Sequence, residues 1–109
     1  IRGNVPLTEG VIISNEPGYY KEGEYGIRIE NLVYIADSGK RDAQGKKILC
    51  FKTLTLAPIS RDLIEVSLLD EKELNWINEY HKRVRDELAP TLTKYPKAIE
   101  FLEQATKPL

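Results

Sequence analysis

The sequence contains no methionine, one cysteine and one histidine in 109 residues, and no excess of either charge, with 16 Lys and Arg against 17 Asp and Glu. Each scarcity excludes something. With Ile1 first and no Met anywhere, the chain is expected to be processed or cut from a longer polypeptide, so chemistry needing several ligands would draw some of them from upstream. A lone Cys50 cannot form an internal disulfide and fits a reducing compartment, from which a cytoplasmic location is expected. A formal net charge of −1 with no basic run leaves no electrostatic footprint for nucleic acid or an anionic membrane. No apolar stretch approaches the roughly 20 residues of a membrane helix. The opening IRGNVPLTEG has neither the basic nor the apolar region of a signal peptide. Neither nucleic acid nor a membrane is therefore expected as a partner. A chain of this length builds one small core, burying roughly 60 to 70% of its unfolded surface, and leaves little room for a large self-contained cleft.

What is present changes character halfway. All seven glycines lie at or before Gly45, whereas the last 40 residues are rich in Leu, Glu and Lys. This is the α+β pattern of strands first and helices after. Val11–Asn15 reads as a strand stopped by Pro17-Gly18, a pair that suits a type II turn because Pro fixes φ and Gly supplies the positive φ that follows. Residues 27–36 read as a second strand, with Ile27, Ile29, Val33 and Ile35 on one face and Arg28, Glu30, Leu32 and Tyr34 on the other. The charged stretch DSGKRDAQGKK, residues 37–47, has no periodicity and reads as a mobile hairpin loop. Residues 46–56 carry apolar groups on both faces, as a buried strand would. Asp70 and Glu73 form a D-x-x-E capping box, so a helix is expected to begin near Asp70. Its apolar stripe is Leu74, Ile77, His81, Val84 and Leu88, flanked by Trp76 and Tyr80, and Pro90 ends it. A second helix, with Pro96 in its first turn and Ile99, Leu102 and Ala105 on one face, is expected to run to about Thr106.

Two carboxylates are the candidates for chemistry. Glu16 stands at the mouth of the Pro-Gly turn, and Glu30 stands mid-strand beside Arg28. A carboxylate among apolar strand residues is costly to bury unless it is paired or binds a metal. Hard oxygen donors suit Mg, Ca or Mn, and a two-metal site roughly 3.5 to 4 Å across needs bridging carboxylates. The spacing alone favours a solvated Arg28–Glu30 pair on the polar side of a half-exposed sheet. It also admits the acid and nucleophile of a glycosidase, for which nothing else in the chain speaks. His81 has no second His or Cys at metal-ligand spacing and reads as a packing residue. Cys50 reads as a buried small hydrophobe. Tyr19 and Tyr20 either line a pocket or are exposed turn residues.

The string SNEPGYY at residues 14–20, followed by GIRIEN at 26–31, resembles the last two metal-ligand motifs of the pita-bread metallopeptidases, which include methionine aminopeptidases and prolidases. FKTLTLAPI, IEVSLL, WINEYH and the closing ATKPL are similar to the three-domain type of aminopeptidase P, the Xaa-Pro aminopeptidases. The resemblance implies residues 1–60 as the C-terminal part of a pita-bread catalytic domain built of antiparallel strands, and 61–109 as a helical C-terminal extension. It implies two divalent metal ions, Mn2+ first, and a bridging water that attacks the bond before proline in a peptide with Pro at its second position. By the same resemblance Glu16 binds one metal, Glu30 bridges both, Arg28 pairs with a ligand Asp and fixes its orientation, and Tyr20 lies near the substrate. The remaining ligands of the family, two Asp and one His, would precede Ile1, so the chain alone is expected to bind Mn weakly and to be inactive. Two alternatives share the motifs. One is a prolidase acting on Xaa-Pro dipeptides. The other is a non-catalytic interaction module that forms a homodimer through an exposed apolar helix face from Leu74 to Leu88.

Overall fold

The computed structural model describes residues 3–109, which divide into two compact units meeting at Thr55 and Leu56. In the first unit, β1 (Ile12–Asn15), β4 (Asn31–Arg41) and β5 (Lys47–Thr53) form an antiparallel sheet in the order β1-β4-β5. Between β1 and β4 the chain leaves this sheet to make a separate two-stranded ribbon from β2 (Gly18–Lys21) and β3 (Tyr25–Arg28). The expected strand over residues 27–36 is therefore two strands in two sheets, broken at Ile29 and Glu30. The unbroken run of alternating residues hides the break, because pairing partners and not side-chain pattern decide where a strand changes sheets. Within that run Val33 and Ile35 are buried as the alternation requires, whereas Ile27 and Ile29, on the ribbon and the crossing, are exposed.

Residues 37–47 form an ordered hairpin and not the expected loose loop. β4 continues to Arg41, and only residues 42–46 turn before β5 pairs back on it. The register shifts between Asp37 and Arg41, where Gly39 takes φ 78°, a conformation that suits glycine at a bulge. The charges that suggested mobility pin the bulge. Asp37 accepts the Gly39 N–H at 2.8 Å and both Nη atoms of Arg41 at 3.0 and 3.1 Å, and Ser38 donates to the Ile48 carbonyl at 2.5 Å. Across β5 the expectation of a buried strand fails. Ile48, Leu49 and Phe51 are exposed and Cys50 is half-buried, since apolar composition on both faces creates a demand for cover without supplying it.

The second unit follows its local signals closely. Two 3-10 turns, Arg61–Leu63 and Val66–Leu68, lead to α1 (Glu71–Leu88), and a third over Ala89–Thr91 leads to α2 (Pro96–Ala105). Asp70 accepts the Glu73 N–H while the Glu73 carboxylate takes the Asp70 N–H, so the capping box is complete. Pro96 occupies the first turn of α2 and Thr106 is its C-cap. Tyr80, Val84 and Leu102 form the core, with Leu56, Ile59, Leu88, Ala89 and Leu92 packed against them. Along the α1 stripe Ile77, His81 and Val84 are almost fully covered, and Leu74 and Leu88 are half-buried. The centre of the apolar face expected to serve dimerisation is therefore not exposed. Among the described residues no helix is long and apolar enough to cross a membrane.

Candidate metal-binding site

The pairing register brings the two candidate carboxylates together. Asn15 and Asn31 form the last pair of the β1–β4 ladder, and Glu16 and Glu30 are the next residue beyond that pair on opposing strands. The ribbon closes the same junction from the other side: Gly18 pairs with Arg28, and the Ile29 N–H donates to the Pro17 carbonyl at 3.1 Å. Glu16 and Glu30 therefore stand at the two points where the chain crosses between sheet and ribbon. Each crossing is only two residues long and is tied by flanking ladders, which gives a loop position the fixed geometry of a strand.

Gly18 corrects the expected type II turn. It is the first residue of β2 and its φ is not positive. Its lack of a side chain serves a contact instead: a Cβ at Gly18 would lie 2.8 Å from the Tyr20 phenolic oxygen and 2.9 Å from the Ile27 carbonyl oxygen. The Tyr20 ring runs along the ribbon over Gly26 and Gly18 and presents its hydroxyl to the guanidinium of Arg28. That hydrogen bond is the main reason the Arg28 pKa lies above its ordinary value, with the negative charges of Glu30 and Glu16 adding to it. Arg28 Nε stands 3.4 Å from Glu30 Oε2, each side chain roughly half exposed, so the expected same-face pair exists although Glu30 lies at a crossing and not mid-strand. The arrangement is one cation beside a phenol and two carboxylates, whose mutual repulsion its charge reduces. The Tyr20–glycine packing has no counterpart in the alternation of the strand residues. Its only signal in the sequence is the pair of glycines flanking the ribbon positions.

Two oxygen donors suit a hard divalent cation but do not complete a site for one, much less two. Among the described residues no group of three or more His, Cys, Asp or Glu is arranged to hold a metal. Elsewhere, His81 is a packing residue of α1 with no exposed surface, and Cys50 lines an apolar pocket with Leu7, Ile35, Leu49 and Phe51.

Residues 47–109 match the family model described as the C-terminal region of peptidase M24, and residues 2–37 match that of metallopeptidase family M24. The chain belongs to this family. Among proteins similar to this M24 chain is a probable Xaa-Pro aminopeptidase P of Laccaria bicolor, 41% identical over 107 residues that are 97% of the chain and 17% of that protein. A probable Xaa-Pro aminopeptidase P of Arthroderma benhamiae is 40% identical over 106 residues, 96% of the chain and 15% of that protein. The crystal structure of an X-prolyl aminopeptidase from Caenorhabditis elegans, described as a cytosolic enzyme with a di-nuclear active site, superposes with a TM-score of 0.78 at 38% identity. It covers 94% of this chain, which spans 17% of that one. The M24 chain thus spans about a sixth of the length of the relatives it matches. Its antiparallel strands followed by two helices are the α+β architecture of the C-terminal portion of a pita-bread fold.

Proposed function

We propose that these residues serve a dinuclear-metal Xaa-Pro aminopeptidase, in which residues 1–60 finish the catalytic domain and 61–109 form its helical extension. Glu16 binds one metal ion and Glu30 bridges both, with Mn2+ as the expected ion and peptides with Pro in second position as substrate. The observation that carries this reading is the Asn15–Asn31 pair, which sets Glu16 and Glu30 side by side on opposing strands next to Arg28. When bound, two such ions supply Lewis-acid polarisation of the scissile carbonyl and a water acidified toward neutral pH. The chain's own residues do the positioning. Arg28 offsets the negative charge of the two carboxylates and would orient a further acidic ligand from elsewhere in the polypeptide. Tyr20, exposed on the ribbon and beside Arg28, stands near the place of the substrate. The alignment with Xaa-Pro aminopeptidases P through the helical unit favours an aminopeptidase over a dipeptide-specific prolidase. The cytosolic relative supports a cytoplasmic location.

The test is release of the first residue from an Xaa-Pro-Yaa peptide by a full-length polypeptide carrying these residues, with bound Mn measured in parallel. Glu30→Gln is expected to lose one or both metal ions and to abolish turnover, with the fold intact by circular dichroism. A Glu30→Gln protein that keeps its metal and its activity would overturn the assignment.

A further inference from the structure

Five polar side chains, those of Asn78, Tyr80, His81 and Arg85 on α1 and Arg61 before it, bind backbone outside that helix, and His81 is the most buried of them. The ring has no exposed surface. The Ile59 N–H donates to His81 Nε2 at 3.0 Å, so that nitrogen is unprotonated and the ring proton sits on Nδ1, which has no hydrogen-bond partner. One residue earlier, the Tyr80 hydroxyl donates to the Ala57 carbonyl at 2.7 Å. Residues 57–59 are thus fastened to α1 by two adjacent side chains.

The charged groups acting on the ring are both cations, Arg61 from the preceding segment and Arg85 one turn further along α1. Both are engaged on the chain's last residues. Arg61 donates to the carbonyls of Lys107 and Pro108, and Arg85 donates to the Thr106 carbonyl at 2.8 Å and to its hydroxyl oxygen at 3.2 Å. Asn78 Oδ1 accepts the Leu109 N–H at 2.9 Å.

We propose that His81 is an acid-sensitive latch: unprotonated, it fastens residues 57–59 to α1, and its protonation releases that segment and loosens the hold of Arg61 and Arg85 on residues 106–108. Protonation converts Nε2 from acceptor to donor, leaving it facing the Ile59 N–H donor to donor. It also puts a positive charge on a fully buried ring that already feels the cations Arg61 and Arg85. Burial, with Arg61 and Arg85 adding to it, holds the pKa of the folded ring below its ordinary value. The unfolded chain therefore binds the proton near pH 6.5 while the folded chain resists it. Stability is full above that pH and declines as pH falls below it. His81 is the single histidine of the chain, so no other side chain has its ordinary titration between pH 5 and 7.

Trp76, the single tryptophan, stacks on Tyr80 with ring centroids 5.5 Å apart and reports on this unit. Urea unfolding of the 109-residue chain followed by its fluorescence, at pH 7.5, 6.5, 5.5 and 5.0, is compared with that of His81→Gln, whose amide oxygen can accept the Ile59 N–H without titrating. The expected difference is a folding equilibrium constant that falls with acid by up to about tenfold per pH unit in the native chain alone. Parallel pH dependences would overturn the proposal. If His81→Gln does not fold, the native chain decides by nitrogen NMR of the ring and by amide exchange corrected for its intrinsic pH dependence. A protonated Nε2 at pH 7.5 overturns the latch, as does an Ile59 amide that keeps the protection of Val84 throughout. An unprotonated Nε2, with Ile59 losing protection before Val84 as pH falls, supports it.

Discussion

Gly26 faces Tyr20 across the β2–β3 ribbon, and the ring of Tyr20 occupies the space that a side chain at Gly26 would fill: a Cβ there would stand 2.6 Å from Tyr20 Cδ1. Glycine at this position is thus a condition for the tyrosine to lie along the ribbon and reach Arg28. Gly26→Ala is expected to lift the ring and free the Arg28 guanidinium, as Tyr20→Phe does by removing the hydroxyl. The Arg28 Nε–H resonance of the two variants should shift in the same way. Gly3→Ala, where nothing lies within 4 Å of the new Cβ, should leave it unchanged.

Asp70→Ala removes the acceptor of the Glu73 N–H and half of the capping box at the start of α1. The expected loss is about 1 kcal/mol in unfolding of the helical unit, read from the urea midpoint of Trp76 fluorescence. Asp70→Asn keeps a side-chain acceptor and should retain most of the stability.

What the sequence discloses follows from the range of the interactions. The start and stop of α1 depend on Asp70, Glu73 and Pro90, all within a turn of the helix ends, and these are legible without the fold. The pairing of Arg28 with Glu30 is also local, at separation two, and was visible. The break at Ile29 and Glu30 was not, because it depends on Asn31 pairing with Asn15 and Arg28 with Gly18, partners set by register. Gly18 misled for a related reason: beside Pro17 it has the chemistry of a turn, but it is glycine because Tyr20 needs the space. Residues 37–41 misled through composition. Their charges find one another around Asp37, which turns a polar stretch into a fixed bulge.

Tyr80→Phe leaves the Ala57 carbonyl without its hydroxyl donor and removes the oxygen that takes the Ala57 N–H at 3.4 Å, in a partly buried place. The ring itself still packs against Val84 and Leu102. The expected effect is a loss of about 1 to 3 kcal/mol, the range for a buried polar group left without its partner. Tyr80→Leu should lose more, since it also removes the stacking surface under Trp76. Unfolding curves of the two variants under one set of conditions separate the contributions.

Acid should act on the two units at different pH, and the β4–β5 hairpin supplies the second window. The hydrogen bond from Arg41, followed by that from the Gly39 N–H, holds the Asp37 carboxyl below its ordinary pKa. A carboxylate of this kind contributes stability that is fully present above the unfolded value near 3.9 and is lost as pH falls through the lower folded value. The bulge is therefore expected to remain fixed at pH 5.5, where the His81 latch is already weakened, and to loosen only below about pH 4. Asp37→Asn keeps acceptor oxygen for Gly39 but loses the charge that Arg41 requires, so its hairpin should be looser at every pH and lack the low-pH transition. Amide shifts of Gly39 and Arg41, followed from pH 7 to pH 3 in the native chain and in Asp37→Asn, read this directly. A transition of Gly39 coinciding with that of Ile59 would show that the two units respond to acid together and that neither local pairing governs its own window.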